Sequence, residues 1–176
     1  KEPSGQSFYS RILKLNSNGT RDDRWKSPGG NVHSINTMCV LDNYLYCYMG
    51  YGEIRKYNLV TGDRVSSYNT GVGDFDYVHV VHKIIAQPNG KIIVGGRFNG
   101  YDNYSYVNDI MRLNINGTID YTFNIEIDET VLDLMIDDGS LYISGTFLNI
   151  GSTPVNNIAK FNVVDRTLPV IALLGD

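Results

Sequence analysis

The stretch Gln87-Pro-Asn-Gly-Lys-Ile-Ile-Val-Gly-Gly-Arg-Phe98, followed by Ile110-Met-Arg-Leu-Asn114, decides the fold. Pro-Asn-Gly is a turn sequence, because Pro fixes φ and Asn-Gly accepts the positive φ angles of a tight hairpin. Apolar and β-branched residues flank this turn on both sides. The pattern therefore predicts a hairpin with strands at residues 80–86 and 91–98.

Two further strands are expected after this hairpin. Residues 109–114 alternate in character, with Met111 and Leu113 on one face and Arg112 on the other. A turn at 115–118 then leads to a fourth strand at 121–124, and residues 99–108 are expected to form a loop. A four-stranded meander of this size cannot bury both of its faces alone, so it must stack on neighbouring copies.

The chain contains such copies. A five-residue motif recurs, which we call the repeated word: an apolar residue, a basic residue two places on, an apolar or aromatic residue, and then Asn. Its copies begin at residues 12, 54, 110 and 158, which are 42, 56 and 48 residues apart. A second motif, rich in glycine and aromatic residues, precedes each of the last three copies. This period indicates a repeat array. We interpret the chain as one domain, residues 1–176, whose units are 1–27 (a half blade), 28–70, 71–124 and 125–176.

Composition agrees with an all-β fold. Tyr reaches 13 of 176 residues and Gly 18, and β-branched residues alternate with turn residues, which is typical of strands. Stacked four-stranded antiparallel sheets of this kind form a β-propeller. The sequence predicts about three and a half blades.

The third unit resembles the delta-60 repeat of β-propeller proteins. The resemblance rests on Gln87–Phe98 and on Ile110-Met-Arg-Leu-Asn-Ile-Asn-Gly-Thr-Ile-Asp-Tyr-Thr-Phe123, and the fourth unit matches more loosely. The second unit lacks the Gly-Gly pair. The resemblance implies a propeller without enzymatic activity and transfers no catalytic residues. Similar repeats occur in large bacterial surface proteins and in phage tail or fibre proteins.

A closed propeller has roughly four to eight blades, so three and a half are too few. The chain is then a fragment of a larger protein, or another chain completes its ring, or its sheets stack without closing. We expect a fragment, because residue 1 is Lys and the first unit starts half-built.

Some site classes are not expected. The net charge of −4 disfavours a nucleic-acid surface, and no apolar run is long enough for membrane insertion by a helix. The acidic turns lack the ligand spacing of a calcium loop, so neither a metal nor a cofactor is predicted. Gly95 and Gly96 are interpreted as packing glycines. Cys39 and Cys47 are interpreted as small buried residues, with a cross-strand disulfide as the alternative.

Recognition is expected on the long loops of the third unit, since loops on a rigid scaffold usually carry binding residues. Aromatic rings cover the apolar face of a sugar, and carboxylates accept its hydroxyl protons. The same residues are typical of protein-binding loops, or they pack the loop onto its own blade. The candidate ligand-binding residues are Asp74, Asp76, Tyr77, Tyr101, Asp102, Tyr104, Tyr106 and Asp109.

The leading hypothesis is a non-enzymatic binding or structural module of a larger extracellular or virion protein. Its partner would be a glycan, a cell-surface protein or sister subunits in a homo-oligomer. One alternative is a propeller glycosidase, for which Glu126, Asp128, Glu129 and Asp133 are the acidic residues expected nearest the channel. The other alternative is a purely architectural spacer or assembly component.

Overall fold

In the computed structural model, the described residues are 12–26, 34–50, 53–68, 80–101, 104–162 and 170–172. These residues contain strands, turns and bends but no helix, so no helix among them can span a membrane. The all-β prediction is confirmed for this part of the chain.

The strands form small antiparallel sheets, each following the order of the sequence. Sheet 1 contains β1 (Thr37–Leu41), β2 (Tyr44–Tyr48) and β3 (Ile54–Asn58); sheet 2 contains β4 (Val80–Ala86), β5 (Ile92–Tyr101) and β6 (Tyr104–Leu113). Sheet 3 contains β7 (Val131–Asp137), β8 (Ser140–Gly145), β11 (Ile158–Asn162) and β12 (Val170–Ala172), and a two-stranded ribbon contains β9 (Asn149–Ile150) and β10 (Thr153–Pro154).

The hairpin between β4 and β5 forms where the Pro-Asn-Gly turn predicts it. The amide of Gln87 donates to the Lys91 carbonyl at 2.8 Å, and the amide of Gly90 donates to the Gln87 carbonyl at 3.0 Å. Gly90 adopts a φ of 88°, which glycine accepts without steric cost. The turn therefore sets the register of sheet 2.

The expected loop at residues 99–108 is wrong. Strands β5 and β6 continue through it, pairing Asn99 with Asn108 and Tyr101 with Tyr104. The ladder is irregular before Asn99, and Asp109 takes a φ of 57° there. Such a bulge lets pairing resume after a break, so the segment becomes an extension of the hairpin.

The expected strand at residues 121–124 is also wrong, because these residues form a turn and an irregular segment. The Asp120 carboxylate accepts the amide of Thr122 at 3.1 Å and its hydroxyl at 2.6 Å. This local bonding competes with strand pairing. In each of the first three units, a single-residue antiparallel bridge joins the repeated word to the segment that follows it. The bridged pairs are Leu15 and Arg21, Tyr57 and Arg64, and Leu113 and Ile119.

The units stack one after another and bury three apolar seams. β1 packs against β4, and β4 packs against β7. The first seam joins residues 12–26 to sheet 1, the second joins sheets 1 and 2, and the third joins sheets 2 and 3. Their buried members include Trp25, Leu45, Cys47 and Tyr57 in the first seam; Tyr46, Ile54, Met111 and Leu113 in the second; and Ile93, Ile110, Ala159 and Phe161 in the third.

The interpretation of Gly95 as a packing glycine is confirmed. A Cβ atom at this position would lie 2.6 Å from Cγ1 of Val131 and 3.0 Å from Cδ1 of Leu134. Both residues belong to the neighbouring sheet, so β5 approaches β7 only because residue 95 has no side chain.

The two cysteines are free thiols. Cys39 pairs with Tyr46 across the ladder and Cys47 pairs with Met38, so the cysteines are not directly opposite each other. Cys47 is buried in the first seam, whereas Cys39 packs on the second. They therefore lie on opposite faces of sheet 1 and form no disulfide, and the expected burial is confirmed for Cys47, whereas Cys39 is half-buried.

Candidate functional site

The hairpin extension consists of residues 99–101 and 104–108, which carry the β5–β6 pair beyond the rest of sheet 2. Tyr101 and Tyr104 are directly paired, and Tyr106 lies two residues further along β6. The three tyrosines that the sequence singled out are therefore on one short ribbon. Asp102, Asp74, Asp76 and Tyr77 lie outside the described residues.

Asp109 lies at the base of the hairpin extension. Its Oδ1 accepts a hydrogen bond of 3.0 Å from the amide of Phe98. Phe98 is buried in the second seam. The Asp109 carboxylate thus fixes the point where the extension leaves the packed part of the sheet.

A cleft of about 260 Å³ opens beside this base, and we call it the base cleft. Buried apolar residues contribute to its wall, while its exposed residues are polar or aromatic. Tyr121 keeps 53% of its surface exposed. The lining comprises Asn108, Ile110, Ile119, Asp120, Tyr121, Phe123, Asn124, Ile125 and Glu126.

Asp120 anchors one wall of the base cleft. Its Oδ2 accepts hydrogen bonds from Lys91 Nζ at 2.6 Å and from Arg112 Nε at 2.7 Å. Burial acts to raise the pKa of Asp120, but the hydrogen bonds from Lys91, Thr122 and Arg112 outweigh it and hold that pKa below the usual aspartate range. A carboxylate so fully bonded stays ionised and holds the wall in place.

The basic residues of the repeated word point forward along the array. Lys14 Nζ bonds the Leu59 carbonyl across the first seam at 3.0 Å, and Lys56 is buried beside the second. The Arg112 guanidinium carbon lies 4.8 Å from the centre of the Phe123 ring. Lys14, Lys56 and Arg112 therefore contribute to the seams between units.

Sequence reasoning missed the acidic partners of these bases. Asp22 pairs with Lys14 at 3.3 Å and with Arg24 at 3.1 Å, just as Asp120 pairs with Arg112. A hydrogen bond from Arg24 is the main cause that lowers the pKa of Asp22. Each Asp follows the basic residue of its word by eight positions, and that shared spacing was the signal that could have found them.

The acidic residues of the glycosidase alternative have separate partners. Asp133 pairs with Lys83 at 3.0 Å, and that contact lowers its pKa. Asp128 accepts the amides of Leu148 and Asn149 at 3.0 and 3.1 Å, which holds the start of the β9–β10 ribbon. Glu126 lines the base cleft.

Metal chemistry finds no support in this part of the chain. Among the residues that the structure describes, no three His, Cys, Asp or Glu side chains come together in a way that could hold an ion. The base cleft instead combines the aromatic residues Tyr121 and Phe123 with amides and carboxylates, which suits a neutral polar ligand.

Two segments of the chain match a family model. Residues 87–123 and 137–164 match a family described as "Domain of unknown function (DUF5122) beta-propeller". The matches cover less than half of the chain and fall on the third and fourth units. They support a β-propeller repeat family, in agreement with the small stacked antiparallel sheets.

The remaining comparisons are weaker. No curated protein matches the chain. Among solved structures, the computationally designed Ika4 protein aligns over 83% of this chain and 94% of its own, with 10% identity and a TM-score of 0.47. A likeness at that level carries no inference about fold or function.

Proposed function

We propose that this chain is a non-enzymatic recognition module of a larger extracellular or virion assembly, such as a phage tail or fibre. In this proposal the stacked sheets are the scaffold, and the hairpin extension with the base cleft binds a glycan. The observation that carries the proposal is the base cleft, in which the exposed Tyr121 ring lies among amide and carboxylate residues.

The chemistry of the cleft favours a sugar. The flat face of Tyr121 offers an apolar platform for a pyranose ring, and Asn108, Asn124 and Glu126 offer hydrogen-bonding groups for its hydroxyls. Pockets for drug-sized ligands usually measure about 300–1,000 Å³. A cleft of about 260 Å³ therefore suits one sugar ring at the end of a glycan.

The stability of the site supports the same proposal. Asp120, Lys91 and Arg112 hold the cleft wall with charge-assisted hydrogen bonds, and Asp109 fixes the base of the hairpin extension. A rigid site loses little conformational entropy when its ligand binds. The scaffold thus supplies the preorganisation that a weakly binding neutral ligand requires.

The test is a glycan array followed by saturation-transfer NMR with the sugars that bind. Tyr121→Ala should weaken binding by about tenfold, because loss of a stacked aromatic contact costs on the order of 1–1.5 kcal/mol. Asn124→Ala should weaken it as well. Leu148→Ala is the matched control, since Leu148 is 60% exposed and lies outside the cleft lining.

Three results would contradict the proposal. Undiminished sugar binding by Tyr121→Ala would exclude the base cleft. Sugar binding that is lost only when Tyr101, Tyr104 and Tyr106 are all changed to Ala would move the site to the tip of the hairpin extension. Hydrolysis of the bound glycan that disappears in Asp133→Asn would replace the non-enzymatic proposal with the glycosidase alternative.

A further inference from the structure

The lining of the base cleft contains two carboxylates, and one of them, Asp120, has no hydrogen-bonding capacity left for a ligand. Its Oδ2 accepts Lys91 and Arg112, and its Oδ1 accepts the amide of Thr122 at 3.1 Å and its hydroxyl at 2.6 Å. An ionised carboxylate has about four lone-pair sites, and these bonds occupy all of them. Asp120 therefore supports the wall of the cleft but does not bind its contents.

Glu126 is the second carboxylate of the lining, and its situation is the opposite. Its side chain is exposed, and its carboxylate forms no hydrogen bond or ion pair with any other residue that the structure describes. The lining contains no Lys or Arg that would neutralise it. A ligand that enters the base cleft therefore meets one strong hydrogen-bond acceptor whose capacity is unused.

The backbone on both sides of Glu126 is held in place. Ile125 and Ile127 are buried in the third seam, whereas Glu126 between them is exposed. The Glu126 carbonyl accepts the amide of Gly151 at 2.8 Å, and Ile127 forms an antiparallel bridge with Ile150. The β9–β10 ribbon of the fourth unit therefore fixes the point from which the Glu126 side chain extends into the cleft lining.

The deeper part of the cleft is apolar. Ile110, Ile119, Phe123 and Ile125 contribute to the lining, and each of them is at most 9% exposed. They also belong to the second and third seams, so their positions are fixed by packing. We call these four residues the apolar floor. A ligand that complements the cleft therefore carries a small apolar group next to a hydrogen-bond donor.

We infer that the base cleft selects an N-acetylhexosamine, a sugar in which an acetamido group replaces one hydroxyl. The acetamido N–H donates to the Glu126 carboxylate, the acetyl methyl packs on the apolar floor, and the sugar ring lies against Tyr121. Glu126 is then a specificity-determining residue of the site. This inference rests on the proposed function, because it names the class of sugar that the same cleft binds.

Two other classes of sugar complement the cleft less well. A simple hexose can donate a hydroxyl to Glu126, but it brings no methyl group to the apolar floor. A uronic acid would place its own carboxylate in the same small cleft as Glu126, and two like charges at short range repel each other. The acetamido group supplies a donor and a methyl together and adds no charge, so it matches both parts of the lining.

The first experiment titrates the chain with methyl glycosides and follows binding by NMR. In the gluco or the galacto series, the N-acetylhexosamine should bind about tenfold more tightly than the matching hexose, because a buried methyl contributes about fourfold and the acetamido carbonyl adds a hydrogen bond. The N-formyl analogue keeps the N–H and the carbonyl but lacks the methyl, so it should bind about fourfold more weakly than the N-acetyl sugar. Methyl glucuronide should bind most weakly.

The second experiment changes the protein. Glu126→Ala should weaken binding of the N-acetyl sugar by about tenfold or more, because it removes a charge-assisted hydrogen bond. Glu126→Gln keeps an acceptor without the charge, so it should weaken that binding by only about fivefold and should narrow the difference between methyl glucoside and methyl glucuronide. Glu129→Ala is the matched control, since Glu129 is exposed and lies outside the cleft lining. Circular dichroism checks that every variant is folded.

The outcomes separate this inference from the proposed function. Equal affinity for the N-acetyl sugar and the matching hexose in both series, or an affinity for the N-acetyl sugar that is unchanged in Glu126→Ala, would overturn the selection of N-acetylhexosamines. If the hexose still bound and Tyr121→Ala weakened that binding, glycan recognition at the base cleft would stand without it. If none of these sugars bound the wild-type chain, the inference and the proposed function would fail together.

Discussion

The ammonium nitrogen of Lys56 lies 4.0 Å from the centre of the Tyr44 ring. The rings of Tyr46 and Tyr68 are at 5.2 and 5.7 Å from the same nitrogen. In the neighbouring units the corresponding basic side chain forms an ion pair with Asp22 or Asp120. The equivalent position in the second unit is Val65, because the amides of Asp22, Val65 and Asp120 all donate to the carbonyl of the basic residue of their word. Aromatic faces have therefore replaced a carboxylate as the partner of a buried cation.

Removing the ring from this contact should destabilise the protein. Burial lowers the pKa of Lys56, so the cation depends on its aromatic neighbours for stabilisation. We expect Tyr44→Leu to reduce the free energy of unfolding by about 1–2 kcal/mol, measured by urea denaturation at pH 7. Tyr44→Phe keeps the ring face and should change it by less than about 0.5 kcal/mol. Equal losses in both variants would contradict a cation–aromatic contact.

The Asp120 network should dominate the acid sensitivity of the protein. The pKa of Asp120 is lower in the folded state than its usual value of 3.8. Its stabilising contribution is therefore complete above that value and is lost as the pH falls through the folded pKa. Asp120→Asn should cost about 3 kcal/mol at pH 7, because Lys91 and Arg112 lose their buried counter-charge.

The pH profile of Asp120→Asn distinguishes this mechanism from a general packing defect. The loss relative to wild type should shrink as the pH falls below about 4, because the unfolded wild-type carboxylate then binds a proton that the folded carboxylate resists. Asp23→Asn is the control, since the Asp23 side chain is 83% exposed and pairs only with Arg21 among the described ion pairs. A difference between Asp120→Asn and wild type that is constant over pH would count against the network.

The sequence predicted the strands and their stacking better than the candidate site. Strong turn chemistry at Pro88-Asn-Gly90 and regular alternation in the word made β4, β5 and the seam faces predictable. Residues 99–108 looked like a loop because Asn, Asp, Gly and Ser have low strand propensity, yet cross-strand pairing overrides propensity. The base cleft depends on how the segment after β6 packs on the next sheet, and local sequence patterns do not contain that contact.

Adding a side chain at position 95 should destabilise the packing of the third seam. Gly95→Ala places a methyl group 2.6 Å from Cγ1 of Val131, and such overpacking costs about 1–3 kcal/mol. Thermal unfolding should show this as a lower Tm. Val131→Ala removes the conflicting methyl groups, so the double variant should lose less than the sum of the two single variants. Additive losses would show that the two residues do not interact.

Both thiols should resist modification in the folded protein. Burial raises the pKa of Cys39 and of Cys47 to about 12. At pH 8 only about one thiol in 10,000 would then be ionised, whereas an exposed cysteine is ionised to roughly a quarter. Reaction with Ellman's reagent should therefore be slow in buffer and reach two thiols per chain in urea. Rapid reaction of two thiols without denaturant would contradict the burial.

The serial arrangement of the seams also affects how unfolding should be observed. The sole tryptophan of the chain, Trp25, lies in the first seam and donates its indole hydrogen to the Asn58 carbonyl at 3.3 Å. In a linear array each unit is stabilised by its neighbours, and residues 12–26 contribute only Trp25 and Ile12 to the apolar clusters of the described residues. The chain should then lose its Trp25 signal at a lower denaturant concentration than its β-sheet circular dichroism. Fluorescence alone would report the detachment of residues 12–26 and underestimate the stability of the three sheets.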